Sequence, residues 1–147
     1  MRSAPPVPSV PSAPSVPPVP YFAPPPLPPR LRRWGIGPGH VVWGPVAYMD
    51  NPGVAKDRPV LIVGREPGAF LVLTLSSQEK RSAHADWFPL GVGNWDRRRR
   101  RSWARLQPWY RLPDAHVRRP GGVVDPVVFA QLRGLLATKF GWKFPEG

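Results

Sequence analysis

A chain of 147 residues is long enough for one domain with a modest core and little more. It carries 21 lysines and arginines against 9 acids, a formal net charge of +12, and no cysteine. Disulfides, thiolate catalysis and zinc–thiolate sites are thereby excluded, and the charge points to a polyanionic partner, most commonly nucleic acid.

More than half of the 24 prolines fall before Arg30, in a stretch with few large apolar residues. Such a segment cannot bury enough surface to offset its ordering entropy, so residues 1–33 are expected to form a disordered, polyproline-like arm. The prolines also break any signal-peptide core, and no apolar run reaches membrane-span length. The expected location is therefore the cytoplasm, with no membrane partner. As a PxxP-type ligand the arm would make the protein an interaction adaptor; as a passive tail it would do nothing.

The domain is placed at 34–143. "HVVWGPVAY", His40 to Tyr48, reads as a first strand after the turn-rich "GIGPG". "PVLIVG", Pro59 to Gly64, is a second, opened by a proline that a strand tolerates at its first residue. "REPG" is a tight turn, and "AFLVLTL", Ala69 to Leu75, returns antiparallel. Residues 78–101 read as a long polar loop with a short strand at "DWFPLG", and "SWARLQPWYRL" as a later strand interrupted at Pro108. Asp125 before Pro126 is a helix cap followed by a residue pre-set for the first turn. Val128, Leu132, Leu135 and Leu136 then mark the apolar face of a helix over about 125–140. Short strands, frequent glycine and proline, and one closing helix predict a mainly β fold: a small, strongly bent, SH3-like antiparallel barrel with a C-terminal helix.

The order of these motifs resembles the PemK/MazF-type toxins of bacterial type II toxin–antitoxin systems. Gly39-His40-Val41-Val42-Trp43 stands where that family commonly has Gly-Asp-Val and an aromatic or aliphatic residue. Arg58-Pro59-Val60-Leu61-Ile62-Val63 stands at the position of its Arg-Pro-x-x-Val signature, and Leu73-Thr74-Leu75-Ser76-Ser77 falls where many members carry Thr-Ser. "GNWDRRRRRSWARLQPWYRL" looks like the divergent branch with a Trp-Asp and arginine-rich loop. The resemblance, over about 36–142, implies an SH3-like barrel, a homodimer, a cognate antitoxin, and cleavage of single-stranded RNA without metal or cofactor. It assigns the catalytic pair to Arg58 and Ser76. Two positions depart from the family: Ser76 lacks the methyl of the usual threonine, and Gly53 replaces an acid that many members place five residues before the arginine.

Metal-free RNA cleavage uses the substrate's own 2′-hydroxyl, and needs a proton acceptor, a cation for the charge growing on phosphorus, and a donor to the leaving oxygen. Arg58 suits the second task, because the residue before a proline is held extended and its fork is aimed reproducibly. Arginine is a poor proton carrier near neutral pH. Ser76 has a hydroxyl for a phosphate oxygen or the 2′-hydroxyl. The plainer alternative pairs Arg58 with Asp57 or Asp50 and leaves Ser76 capping a turn. His40 and Ser77 are secondary candidates, His40 because its strand end would share a rim with Arg58. His84 and His116 read as solvated loop residues. The carboxylates and histidines are too scattered for a metal site. RNA contacts are expected from Lys56, from Arg97, Arg98, Arg99, Arg100 and Arg101, and from Trp95, the tryptophan taken as exposed; Trp43, Trp103 and Trp109 are taken as core. A non-catalytic nucleic-acid-binding module of the same fold is the alternative function.

Overall fold

A computed structural model of the protein describes residues 27–47, 55–79 and 86–144. The proline-rich stretch to residue 26, Asp50, Gly53 and His84 lie outside them. The elements are α1 (Pro29–Arg32), β1 (His40–Ala47), β2 (Ala55–Glu66), β3 (Ala69–Ser76), β4 (Trp87–Gly91), β5 (Ser102–Arg105), β6 (Tyr110–Pro113), β7 (Arg119–Val123) and α2 (Pro126–Phe140), with a short 3-10 turn at Asp114–His116. Seven strands make one antiparallel sheet in the order β4-β5-β3-β2-β1-β7, with β6 paired to β3. The mainly β fold with one closing helix is the one expected.

The apolar runs of β2 and β3 are continuous because both faces of the sheet are covered. Leu61, Val63, Leu71, Leu73 and Leu75 point to a core closed by Phe129, Leu132 and Leu136 of α2 and by Trp109 and Trp142. Val60, Ile62, Phe70 and Val72, the residues between them, point to a second core with Val42, Val46, Tyr110, Leu112 and Leu31. Asp125 caps α2 as expected: its Oδ1 accepts from the Val127 and Val128 amides at 2.8 and 3.3 Å. Gly141 ends the helix with φ of 75°, a left-handed turn suited to glycine.

Three features depart from the sequence reading. Leu31, assigned to the arm, is fully buried, and Arg30 donates to the carbonyls of Val117 and Asp114 at 2.9 and 2.8 Å; the packed unit starts upstream of Trp34. "SWARLQPWYRL" is two strands rather than one, and both lie on β3: β6 along Ala69 to Val72, β5 at Leu75 and Ser76. The strand β7 was unforeseen, because Arg119-Pro120-Gly121-Gly122 has the composition of a turn.

Candidate active site

A cleft opens where β3 changes partners. Its pairing with β2 ends at Val60 opposite Thr74, and its pairing with β5 begins at Leu75 opposite Ala104. β2 meanwhile stays on β1, with Arg58 opposite Gly44. Pro59, lacking an N–H, is the first residue past the last β2–β3 pair. The two strands part there, and Arg58 and Ser76 stand on the two lips of a cleft of about 380 Å³. Thr74, Ser77, Gln78, Arg105, Ser102 and Tyr110 also line it. Arg58 is therefore inside β2, not at its mouth, since β2 begins at Ala55.

Each lip is braced. The Arg58 Nε donates to the Val46 carbonyl at 3.1 Å, which ties the guanidinium to β1. Ser76 Oγ accepts from the Gln78 amide at 3.2 Å, so the hydroxyl both stabilises the turn and lines the cleft. Asp57 is engaged by Arg118 at 3.3 Å, which places its carboxylate on a cation other than Arg58. Arg105 was missed by sequence reading. It continues the Leu75–Ala104 register by one residue, beside Thr74, and its guanidinium lies 5.7 Å from the Trp87 ring centre. Its Nε is buried without a hydrogen-bond partner among the described residues, an expensive state for a guanidinium facing a cleft. No local signal marks it, because "SWARL" has the pattern of any short strand.

The other nominated residues divide. Ser77 lines the cleft. Lys56 is exposed on β2, opposite Val46 and outside the cleft wall. His40 opens β1 and pairs with Val123, four residues from the Gly44 that faces Arg58, a separation of about 13 Å along a strand. It shares no rim with Arg58. Burial holds its pKa below the ordinary 6.5, and among the described residues no histidine lines the cleft.

Trp95 is a correction. Its ring is buried and its Nε1 donates to Ser102 Oγ at 3.0 Å. Gly93 and Gly122 let the backbone close over it: a Cβ at Gly93 would stand 2.1 Å from the ring. Trp43, taken as core together with Trp103 and Trp109, is the half-buried one, and it lines the cleft. The arginine run is not a uniform rail either. Arg99 donates to Asn94 Oδ1 at 2.7 Å, and Arg101 pairs with Glu79 at 2.8 Å. Arg100 grips Asp96 through Nε and Nη2 at 2.9 and 3.0 Å, and that hydrogen bonding holds the Asp96 carboxyl below its ordinary 3.8. Within the run, Arg97 and Arg98 are the two whose guanidinium groups have no hydrogen-bond or ion-pair partner among the described residues.

Besides Arg100, which is paired with Asp96, the cleft is lined by the guanidinium groups of Arg58 and Arg105 and the hydroxyls of Ser76, Ser77 and Thr74. That is a phosphodiester-binding set: fork donors for the oxygens, hydroxyls for hydrogen bonds. Among the described residues no three histidine or acidic side chains gather as a metal would require, and no helix is long and apolar enough to cross a membrane.

The fold is MazF-like. A MazE–MazF complex from Deinococcus radiodurans (Form-II) superposes with a TM-score of 0.54 at 17% identity, over 74% of this chain and 97% of that one. MazF alone from the same organism (Form-I) gives 0.53 at 18% identity, over 72% and 96%. A further MazE–MazF crystal form (Form-III) gives 0.52 at 16%, over 74% and 98%. At these identities the likeness is one of fold. No protein-family profile matches the chain, and no curated protein does.

Proposed function

We infer that the chain is the toxin of a type II toxin–antitoxin system, of the divergent arginine-rich branch, and cleaves single-stranded RNA without a metal. The observation that carries this reading is the cleft at the β2–β3 parting, lined from opposite lips by Arg58 and Ser76. The substrate 2′-hydroxyl attacks phosphorus, the O2′–P bond forms and the P–O5′ bond breaks, leaving a cyclic phosphate and a 5′-hydroxyl. Arg58 and Arg105 brace the non-bridging oxygens as charge grows, and Ser76 hydrogen-bonds the 2′-hydroxyl or a phosphate oxygen. An antitoxin partner is supported by the MazE–MazF complexes among the similar structures, and it would cover the basic cleft. A homodimer and a cytoplasmic location belong to the same reading.

One observation favours the alternative of binding without cleavage. Among the described residues the cleft is lined by no histidine, and the two carboxylates that line it, Asp57 and Asp96, are both engaged by arginines. No described residue stands there as a ready proton acceptor, so the experiment must look for the chemistry itself. A labelled single-stranded RNA incubated with the full chain in EDTA is expected to be cut. Arg58→Ala should slow cutting by about 10²–10³ and Ser76→Ala by a smaller factor, each with an unchanged unfolding midpoint. A wild-type chain that binds RNA in EDTA and leaves it intact establishes the binding module instead.

A further inference from the structure

The cleft does not end at Trp43. Beyond it a second chamber of about 740 Å³ is walled by Asn94, Arg97, Arg98, Arg119 and the backbone of residues 120–122. Both chambers have Trp43, Trp95, Asp96 and Arg100 in their walls, so the two adjoin across these residues. We propose that the second chamber holds the RNA next to the scissile phosphate, with a base stacked on Trp43 and the onward phosphates on Arg97, Arg98 and Arg119. The proposal rests on RNA as the ligand of the first chamber.

Charge is the first argument. Among the described residues Asp96 is the one carboxylate lining the chamber, and Arg100 takes both its oxygens. Arg97, Arg98 and Arg119 have no ion-pair partner among the described residues, so three cations face one open space. The second argument is the platform. Trp43 sits opposite Pro59 on one side and Arg119 on the other, which fixes it in the strand that divides the chambers. The Arg119 guanidinium lies 4.5 Å from the Trp43 ring centre, a cation–ring pair that widens the flat surface. Gly121 packs tightly beside it, since a Cβ there would meet Trp43 Nε1 and Cδ1 at 3.2 Å and the Val41 carbonyl at 3.1 Å. A lone inorganic anion would use the cations and ignore the ring. A single strand, which carries a flat base and a phosphate at every step, uses both.

The test is fluorescence anisotropy on the full-length chain with labelled single-stranded RNAs of about four and about twelve nucleotides, over a range of salt. Wild type is expected to prefer the longer RNA. Arg97→Ala with Arg98→Ala should narrow that preference and flatten the log–log salt slope by about 1.4, two phosphate contacts on a single strand. Trp43→Ala should weaken the longer RNA by roughly tenfold or more, with Trp43→Phe recovering most of it. An unchanged salt slope and length preference in the double variant overturns the proposal, as does a Phe variant no better than Ala. Tighter binding of a glutamate-rich peptide than of the longer RNA also overturns it, by making the chamber a protein-docking site. A wild type that binds with the expected length preference but does not cleave sinks the nuclease reading and supports this subsite. Cleavage without any length preference does the reverse.

Discussion

His40 and His116 are both held below the ordinary histidine pKa of 6.5, chiefly by burial, with Arg118 adding repulsion at His116. The His116 Nδ1 is itself buried without a hydrogen-bond partner among the described residues. A base with a depressed folded pKa takes up its proton more readily in the unfolded chain. Stability is therefore full above pH 6.5 and is lost as pH falls from 6.5 toward the folded values. The thermal midpoint should be flat from pH 7 to pH 8 and decline below about 6.5, and His40→Gln with His116→Gln should shallow that decline. A double variant that keeps the full decline would assign it elsewhere. Asp96 acts in a lower window, since its pKa is depressed by Arg100 and its contribution persists above 3.8. At this scale the sequence revealed residue type better than environment. Trp43 and Trp95 exchanged the roles expected of them because exposure depends on Gly93 and Gly122, glycines that look like ordinary loop residues.

The strands were legible in proportion to how apolar they are. β2 and β3 read directly because both faces bury side chains, and α2 because a cap, a proline and an apolar face coincide. β7 did not, since it is an edge strand: Pro120 is tolerated there, and Gly122, with φ of 126°, bends it past the Trp95 ring. The cleft was half legible. Arg58-Pro59 and the Ser76-Ser77 pair are visible as a motif, whereas Arg105 is brought in only by the register of β5 on β3. The loop over residues 92–101 joins these facts, because it carries the arginines and is anchored by Trp95. Gly93→Ala drives a methyl into that ring, with contacts of 2.1, 2.3 and 2.5 Å. Either the ring or the loop must move, at about 1–3 kcal/mol. Gly37→Ala, where nothing lies within 4 Å, is the control and should be close to neutral. Urea unfolding followed by tryptophan fluorescence measures both, and equal midpoints would show that the loop yields freely.

The whole molecule is a sheet with a core on each face, and the two cores are closed by different ends of the chain. α2 and Trp142 cover one face; Leu31 and Ile36, from the segment before β1, cover the other. The N-terminal plug is the less obvious of the two, because α1 has only four residues and cannot be stable alone. It is held by Leu31, which has no exposed surface, and by Arg30, whose two donors reach the carbonyls of Asp114 and Val117 at the two ends of the 3-10 turn. Asp114 is in turn gripped by Arg65 at 2.7 and 2.9 Å, so the plug, the 3-10 turn and β2 form one polar seam beneath the second core. The same core supports the floor of the cleft, since Val60 and Tyr110 belong to it and adjoin Arg58 and Thr74. A chain shortened to begin at Leu27 keeps the plug, and one shortened to begin at Trp34 removes it. Loss of Leu31 alone should account for about 2–5 kcal/mol between them, with the Arg30 contacts adding to it. Leu31→Ala in the full chain should reproduce most of that difference, which separates lost packing from shortening as such. Calorimetry of the three forms decides the matter: a chain starting at Trp34 that melts with the one starting at Leu27 would mean that the second core closes without its plug.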